Sequence, residues 1–210
     1  MKQACKVIVF AKAPVAGFAK TRLIPALGAQ GAAQLATRML QETVRQAVAA
    51  VTTDAVELCC AGDLTHPVLR ALQQQYGITL SAQGEGDLGQ RMWHAMQRAL
   101  AQYAHVIIIG TDAPALQAPI LLEAVNALQT HQAVFTPASD GGYVLVGLSR
   151  ALSVVFQDIQ WSTSIVMQQT RDRLRTVDAS YIELPTMHDV DEPDDLVHVP
   201  AAWLNTPAAI

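Results

Sequence analysis

At 210 residues, 51% of them apolar and with a net charge of −4, the chain has material for one large core. The weak negative charge excludes general nucleic-acid binding, and no run approaches the roughly eighteen apolar residues of a membrane span. Cys5, Cys59 and Cys60 sit in apolar strand-like runs without C-x-x-C or zinc spacing, which suits reduced core thiols and a cytoplasmic location.

Residues 7–10, Val-Ile-Val-Phe, form a short continuous apolar run, the pattern of a strand buried on both faces of a parallel sheet. The run is too short for a signal peptide, and a lysine-bearing loop follows it. That loop contains Pro14, Gly17 and Pro25, with Lys12, Lys20 and Arg22 spaced along it. All four lysines fall in the first twenty residues, and no acid precedes Glu42. Like charges cluster in such a loop at a cost unless an anion joins them. Buried strand, basic glycine loop and helix in that order converge backbone N–H groups and cations on an anion, here expected to be a phosphate.

Apolar residues at helical spacing predict a helix over 30–51, followed by a strand over 55–60. Pro67 fits the first turn of a helix that reaches residue 76, where Gly77 stops it, and 78–82 reads as a third strand. Strand and helix alternating with short connections is the α/β pattern, with parallel strands and right-handed crossovers. The stretch 84–92, GEGDLGQRM, is a second glycine-rich turn into a helix. Asp87 fits its N-cap, and Gly86, Asp87 and Arg91 are equally placed to border a nucleotide pocket. Spacing alone does not choose between the two readings.

Residues 106–109 are the most apolar strand of the chain, and Asp112 lies just beyond them. Ligands of open α/β sheets bind past the carboxyl ends of strands, so Asp112 is a candidate metal or ligand residue. A helix over 119–130 and strands over 133–136 and 143–148 follow. Between those strands, Asp140-Gly141-Gly142 suits a hairpin turn and equally a backbone that a ligand approaches closely. Trp161 is a core anchor or a platform for an acceptor, and Ser162 or Thr163 fits the cap of a helix reaching residue 175. After a last strand over 181–184, five of the eighteen acids crowd into 189–195. Asp194 and Asp195 suit a helix start, whereas Asp189 and Asp191 precede it and need another account. A tail docking through Trp203 and Leu204 completes an expected single domain, 1–210.

The ordered motifs F-A-K-x-P-x-x-G-x-x-K-T-R-L, G-D-L-G-x-R-M, T-D-x-P, D-G-G-Y and D-V-D-E-P-x-D-L carry a resemblance. They resemble a bacterial family of GT-A superfamily transferases formerly grouped as a domain of unknown function. More distantly the chain is similar to 2-phospholactate and molybdenum cofactor guanylyltransferases. The resemblance implies a nucleotide-diphospho-sugar transferase fold, a three-layer α/β/α sandwich around a mostly parallel sheet. It also implies that Asp112 and Asp191 hold Mg²⁺ or Mn²⁺ against nucleotide phosphates wrapped by the first loop. Two departures stand out: Ala11-Lys12-Ala13-Pro14 replaces the G-G-x-G-T-R opening of sugar-nucleotide pyrophosphorylases, and Thr111-Asp112-Ala113-Pro114 replaces the glycosyltransferase D-x-D.

The leading expectation is metal-dependent nucleotidyl transfer from a nucleoside triphosphate to a small phosphorylated or carboxylated acceptor. Lys12, Gly17, Lys20 and Arg22 would contact the nucleotide, with Gly86, Asp87 and Arg91 at its border. Asp140, Gly141, Gly142, Tyr143 and Trp161 would face the acceptor, and Lys20, Arg22, Asp112 and Asp140 would carry the chemistry. The alternatives are glycosyl transfer from a nucleotide-sugar, with Asp140 as base, and a nucleotide-binding module without turnover. No histidine stands out except His188, beside Asp189.

Overall fold

The computed structural model describes residues 3–205. Seven strands form one sheet in the order β3-β2-β1-β4-β6-β5-β7. The chain runs β1 (Gln3–Lys12), α1 (Ile24–Ala50), β2 (Val56–Ala61), α2 (Pro67–Tyr76), β3 (Thr79–Ala82) and α3 (Leu88–Leu100). Then come β4 (Tyr103–Ile109), α4 (Ala118–Ala127), β5 (Ala133–Pro137), β6 (Tyr143–Leu148), α5 (Val166–Thr176), β7 (Tyr181–Glu183) and α6 (Ala201–Asn205). β1 pairs in parallel with β2 and β4, β2 with β3, and β5 with β7. Only β6 runs antiparallel to its neighbours, β4 and β5, so the sheet is mostly parallel. The Asp140 turn is accordingly a β5–β6 hairpin connection.

Successive residues of β1 enter opposite cores, as a strand buried on both faces requires. Val7, Val9 and Ala11 pack with Leu40, Val44, Leu69 and Leu121 of α1, α2 and α4. Ile8 and Phe10 pack with Met92, Met96, Met167 and Leu174 of α3 and α5. Helices thus cover both faces, giving three layers.

Local signals and observed ends differ where tertiary contacts intervene. α1 opens at Ile24 rather than at residue 30, but Gly28 at φ 70° and ψ 166° breaks it, so regular helix begins beyond Gly28. Pro67 and Gly77, the latter left-handed at φ 66°, bound α2 as their chemistry predicts. Ser162 and Thr163 do not cap α5. Ser162 is left-handed at φ 63°, the Thr163 hydroxyl donates to Gln160 O, and the helix starts after Ile165 without a side-chain cap. Trp203 packs against a third apolar cluster, whereas Leu204 is exposed.

That third cluster joins the two halves of the candidate site. Leu23, at the end of the first loop, and Val190, in the acidic turn, are both fully buried with Ala32, Leu35, Met39 and Val199. The acidic turn therefore folds back over the first loop for an apolar reason as well as an ionic one. Burying Val190 alone is worth roughly 1.5–3 kcal/mol.

Candidate active site

The chain turns away from β1 on one side toward β2 and on the other toward β4, which makes the gap between β1 and β4 a topological switch point. Loops after the carboxyl ends of both strands meet there. A third segment crosses the same edge. Met187 N donates to Pro137 O at 2.9 Å, Ser139 N donates to Met187 O at 2.9 Å, and Val190 N donates to Asp112 O at 2.8 Å. Residues 187–191 are thus strapped across the ends of β5 and β4, and they deliver Asp191 to Asp112.

Lys20 fills the space between those two carboxylates. Its Nζ lies 2.5 Å from Asp112 Oδ1 and 2.8 Å from Asp191 Oδ1, and it donates to Val190 O at 2.6 Å. An ammonium has three donors, and each has an acceptor here. The Lys20 side chain is 9% exposed, against 45% for Asp112 and 43% for Asp191. Burial works against the Lys20 charge, but the two carboxylates outweigh it and its pKa is raised. Asp112 and Asp191 thus lie on either side of one ammonium. Lys20 is the bridge between them.

Beside this bridge a small cleft of about 110 Å³ is lined by Gly110, Asp112, Ala138, Asp140, Tyr143, Val144 and Asp189. Asp189 is the residue sequence reasoning left unplaced. It flanks the buried Val190 together with Asp191, and in an extended segment such neighbours share a side; the D-V-D alternation was the available signal. Burial raises the Asp189 pKa, and the charges of Asp140, Asp191 and Asp195 raise it further. Asp140 Oδ1 accepts from Gly142 N at 2.7 Å, closing the hairpin turn beside the cleft.

The remaining predicted residues divide into wall, support and rim. Asp87 caps α3 through a capping box with Gln90, so the helix-start reading holds for it. Arg91 donates to Gln83 Oε1 at 2.8 Å, and the buried Gln83 amide donates to Ala11 O and Cys59 O. That chain of bonds ties α3 to the ends of β1 and β2 beside Gly86. Gln83 carried no recognisable sequence signal. Gly141 holds the turn between β5 and β6. At φ 94° its missing Cβ would stand 2.0 Å from Ser164 O, and its carbonyl accepts from Met167 N. Trp161 packs edge-on to Tyr143 and against Gly89, where a Cβ would come within 2.6 Å of Trp161 Nε1. Trp161 and Tyr143 are in this respect core anchors, and burial raises the Tyr143 pKa. Lys12 and Gly17 are exposed, and Arg22 lies at the rim 3.6 Å from Glu192. His188 is also exposed and stacks on His198 with ring centroids 3.9 Å apart.

Mg²⁺ and Mn²⁺ take hard oxygen ligands and bind through one or two carboxylates plus substrate phosphates. Asp112 and Asp191, both aimed at one point, fit such an ion. Among the described residues no group of three or more His, Cys, Asp or Glu side chains is arranged to hold a metal. These two carboxylates would hold only part of the shell of such an ion, and phosphate and water would have to supply the rest. No described helix is long and apolar enough to cross a membrane.

Comparisons with known proteins agree on the fold. A structure from Desulfovibrio desulfuricans G20, provisionally named a nucleotide-diphospho-sugar transferase, superposes with a TM-score of 0.85 at 31% identity. The match covers 97% of this chain and 89% of that one. A cytidylyltransferase from Leptospira borgpetersenii matches at a TM-score of 0.57 and 12% identity, covering 92% and 83% of the two chains. A Mycobacterium tuberculosis H37Rv protein solved with manganese matches at 0.55 and 16%, covering 94% and 98%. No curated protein matches the chain in sequence. The fold is that of the nucleotide-diphospho-sugar transferases, and residues 43–163 match a family described as an uncharacterized protein conserved in bacteria, DUF2064. By that match and by the Desulfovibrio relative, the chain belongs to the DUF2064 family.

Proposed function

We propose that this protein is a metal-dependent transferase with a nucleotide donor, transferring a nucleotidyl group from a nucleoside triphosphate to a small phosphorylated or carboxylated acceptor. The observation that carries this reading is the convergence of Asp112, Asp191 and Lys20 at the β1–β4 switch point. Binding of phosphates alone would need the basic loop but not two carboxylates aimed at one point. The cytidylyltransferase and the manganese-bound relative share the fold, which is consistent with such a site.

Phosphoryl transfer needs in-line positioning and charge cancellation more than covalent help from protein. Asp112 and Asp191 would hold the metal, which when bound would supply charge neutralisation for the donor phosphates. Arg22, exposed at the rim, would add a bidentate contact to a phosphate, and Lys12 stands exposed at the end of β1. Gly17 lets the loop backbone turn at φ 84° with open space around it. Gly86, Asp87 and Arg91 would border the nucleotide through the Gln83 connection. Asp140, Gly141 and Gly142 would form the acceptor wall, with Tyr143 and Trp161 supporting it from the core. A phosphate or carboxylate acceptor requires no general base, and Asp140 already uses one oxygen within its own turn.

Glycosyl transfer from a nucleotide-sugar is the second reading, favoured by one observation: Asp140 lines the same cleft as Asp112, where a base would stand. Incubating the protein with each nucleoside triphosphate, Mg²⁺ and acceptor mixtures separates the two. Acceptor-dependent pyrophosphate release is the expected result. Release of nucleoside diphosphate from nucleotide-sugars, with no pyrophosphate from any triphosphate, would overturn nucleotidyl transfer.

A further inference from the structure

Lys20 is committed in a way that a phosphate-binding lysine is not. Its three donors are taken by Asp112 Oδ1, Asp191 Oδ1 and Val190 O, so it cannot reach a phosphate without surrendering at least one of them. It also holds the point at which both carboxylates aim, where a divalent ion would stand. The backbone supports a held state: Lys20 is left-handed at φ 47° and ψ 48°, uncommon for a residue with a Cβ. Its own loop alternates anchors with exposed residues: Pro14 and Ala19 are buried on the near side of Lys20. Leu23 is buried with Val190, whereas Val15, Gly17 and Phe18 are exposed, Phe18 by 80%.

We propose that Lys20 is a resident cation that excludes a divalent ion from the free protein and yields its place when metal and nucleotide phosphates arrive together. This rests on the reading of Asp112 and Asp191 as the carboxylates of a nucleotide transferase. The charges make the exchange cooperative. With Lys20 in place the carboxylate pair is partly neutralised, so a metal alone gains little by displacing a tethered ammonium. A metal carrying phosphates brings new acceptors for that ammonium, so the Lys20 charge is rehoused on the phosphates rather than stranded. Metal and nucleotide therefore bind as one unit, and free Mg²⁺ does not preload the site.

Two measurements on the full chain test this. The first is Mn²⁺ binding without nucleotide, followed by the paramagnetic resonance of free Mn²⁺, for wild type and Lys20→Met. Methionine keeps the aliphatic stem and removes the charge. The variant should bind Mn²⁺ more tightly by roughly 10- to 100-fold, and adding Asp112→Asn to it should abolish the gain. Equal Mn²⁺ binding by wild type and Lys20→Met would overturn the proposal while leaving the transferase reading intact. The second measurement needs no variant and decides the matter if Lys20→Met does not fold. The chain has four lysines, so ¹⁵N-lysine labelling gives few side-chain ammonium signals. The Lys20 signal should be slow to exchange, unmoved by Mg²⁺ alone, and displaced by Mg²⁺ with inorganic tripolyphosphate. Displacement by Mg²⁺ alone would overturn the exclusion. Absence of Mn²⁺ binding in wild type and Lys20→Met, with or without tripolyphosphate, would overturn both this proposal and the metal in the proposed function.

Discussion

The amide of Val190 donates a 2.8 Å hydrogen bond to the carbonyl of Asp112. It joins the end of the central strand β4 to the acidic turn near the C-terminus. The bond is backbone to backbone, so it places the Asp191 carboxylate beside that of Asp112 whatever their ionisation. Lys20 then bridges carboxylates that are already neighbours.

Removing the Asp112 charge should therefore separate chemistry from fold. Asp112→Asn is expected to abolish acceptor-dependent turnover and leave the melting temperature close to wild type, because the side chain is 45% exposed and its carbonyl bond to Val190 is kept. Chelation with EDTA should likewise weaken triphosphate binding, since Lys20 offsets only one of the two charges of Asp112 and Asp191 and the remaining negative charge repels phosphates. Titration calorimetry with and without EDTA reads this directly, and equal affinity would remove the metal from the mechanism.

Arg22 sits at the rim with Glu192 3.6 Å away and a side chain 67% exposed. An exposed pair of that kind contributes little to stability. Arg22→Ala should leave stability within about 0.5 kcal/mol while weakening triphosphate binding by roughly 1.5–3 kcal/mol, the range for hydrogen bonds to charged groups. Nucleoside lacking phosphates should bind both proteins alike. Unchanged triphosphate affinity would reduce Arg22 to a surface charge.

Gly141 is a steric requirement. A methyl at that position would meet the backbone of Ser164 in a residue already at φ 94°. Gly141→Ala should cost roughly 1–3 kcal/mol or more, and it should disturb the proposed acceptor wall because Met167 N bonds Gly141 O. Chemical denaturation and acceptor KM together check this. A stable variant with an unchanged acceptor KM would detach the turn from the site.

Burial pushes the Cys5 and Cys60 thiols up to about 12 from 9.0. Above pH 9 the unfolded chain releases these protons while the folded chain keeps them. Stability is therefore fully present below pH 9 and falls as pH rises from 9 toward 12, by up to about 1.4 kcal/mol per pH unit for each thiol. Cys60→Ala should shallow that slope, whatever its cost at pH 7. Both thiols should also resist alkylation at pH 8 in the folded protein.

Asp189 carries the opposite consequence for an acid. Its raised pKa comes from burial and from Asp140, Asp191 and Asp195, so its charge opposes folding at neutral pH. The folded state binds the proton more tightly, and the stability this brings is present in acid and lost as pH rises. Asp189→Asn should accordingly raise the unfolding midpoint at pH 7, and the gain should shrink as pH falls through the carboxylate range.

Sequence alone determined the elements and the residues that could act. The apolar run over 106–109, the Pro67 and Gly77 boundaries and the Asp87 cap are local matters of burial pattern and backbone preference, and they emerged where expected. The motifs named Lys20, Asp112 and Asp191, because charge placed at strand ends is visible in one dimension. Tertiary structure alone decided what those residues do to one another. Lys20 meets Val190 and Asp191 across 170 and 171 positions, a distance no local propensity spans. That meeting depends on Leu23 and Val190 burying each other in a cluster whose members are scattered from residue 23 to residue 199. Hydrophobic burial is non-directional, so the Leu and Val of the two segments announce that each will be buried, but not against what.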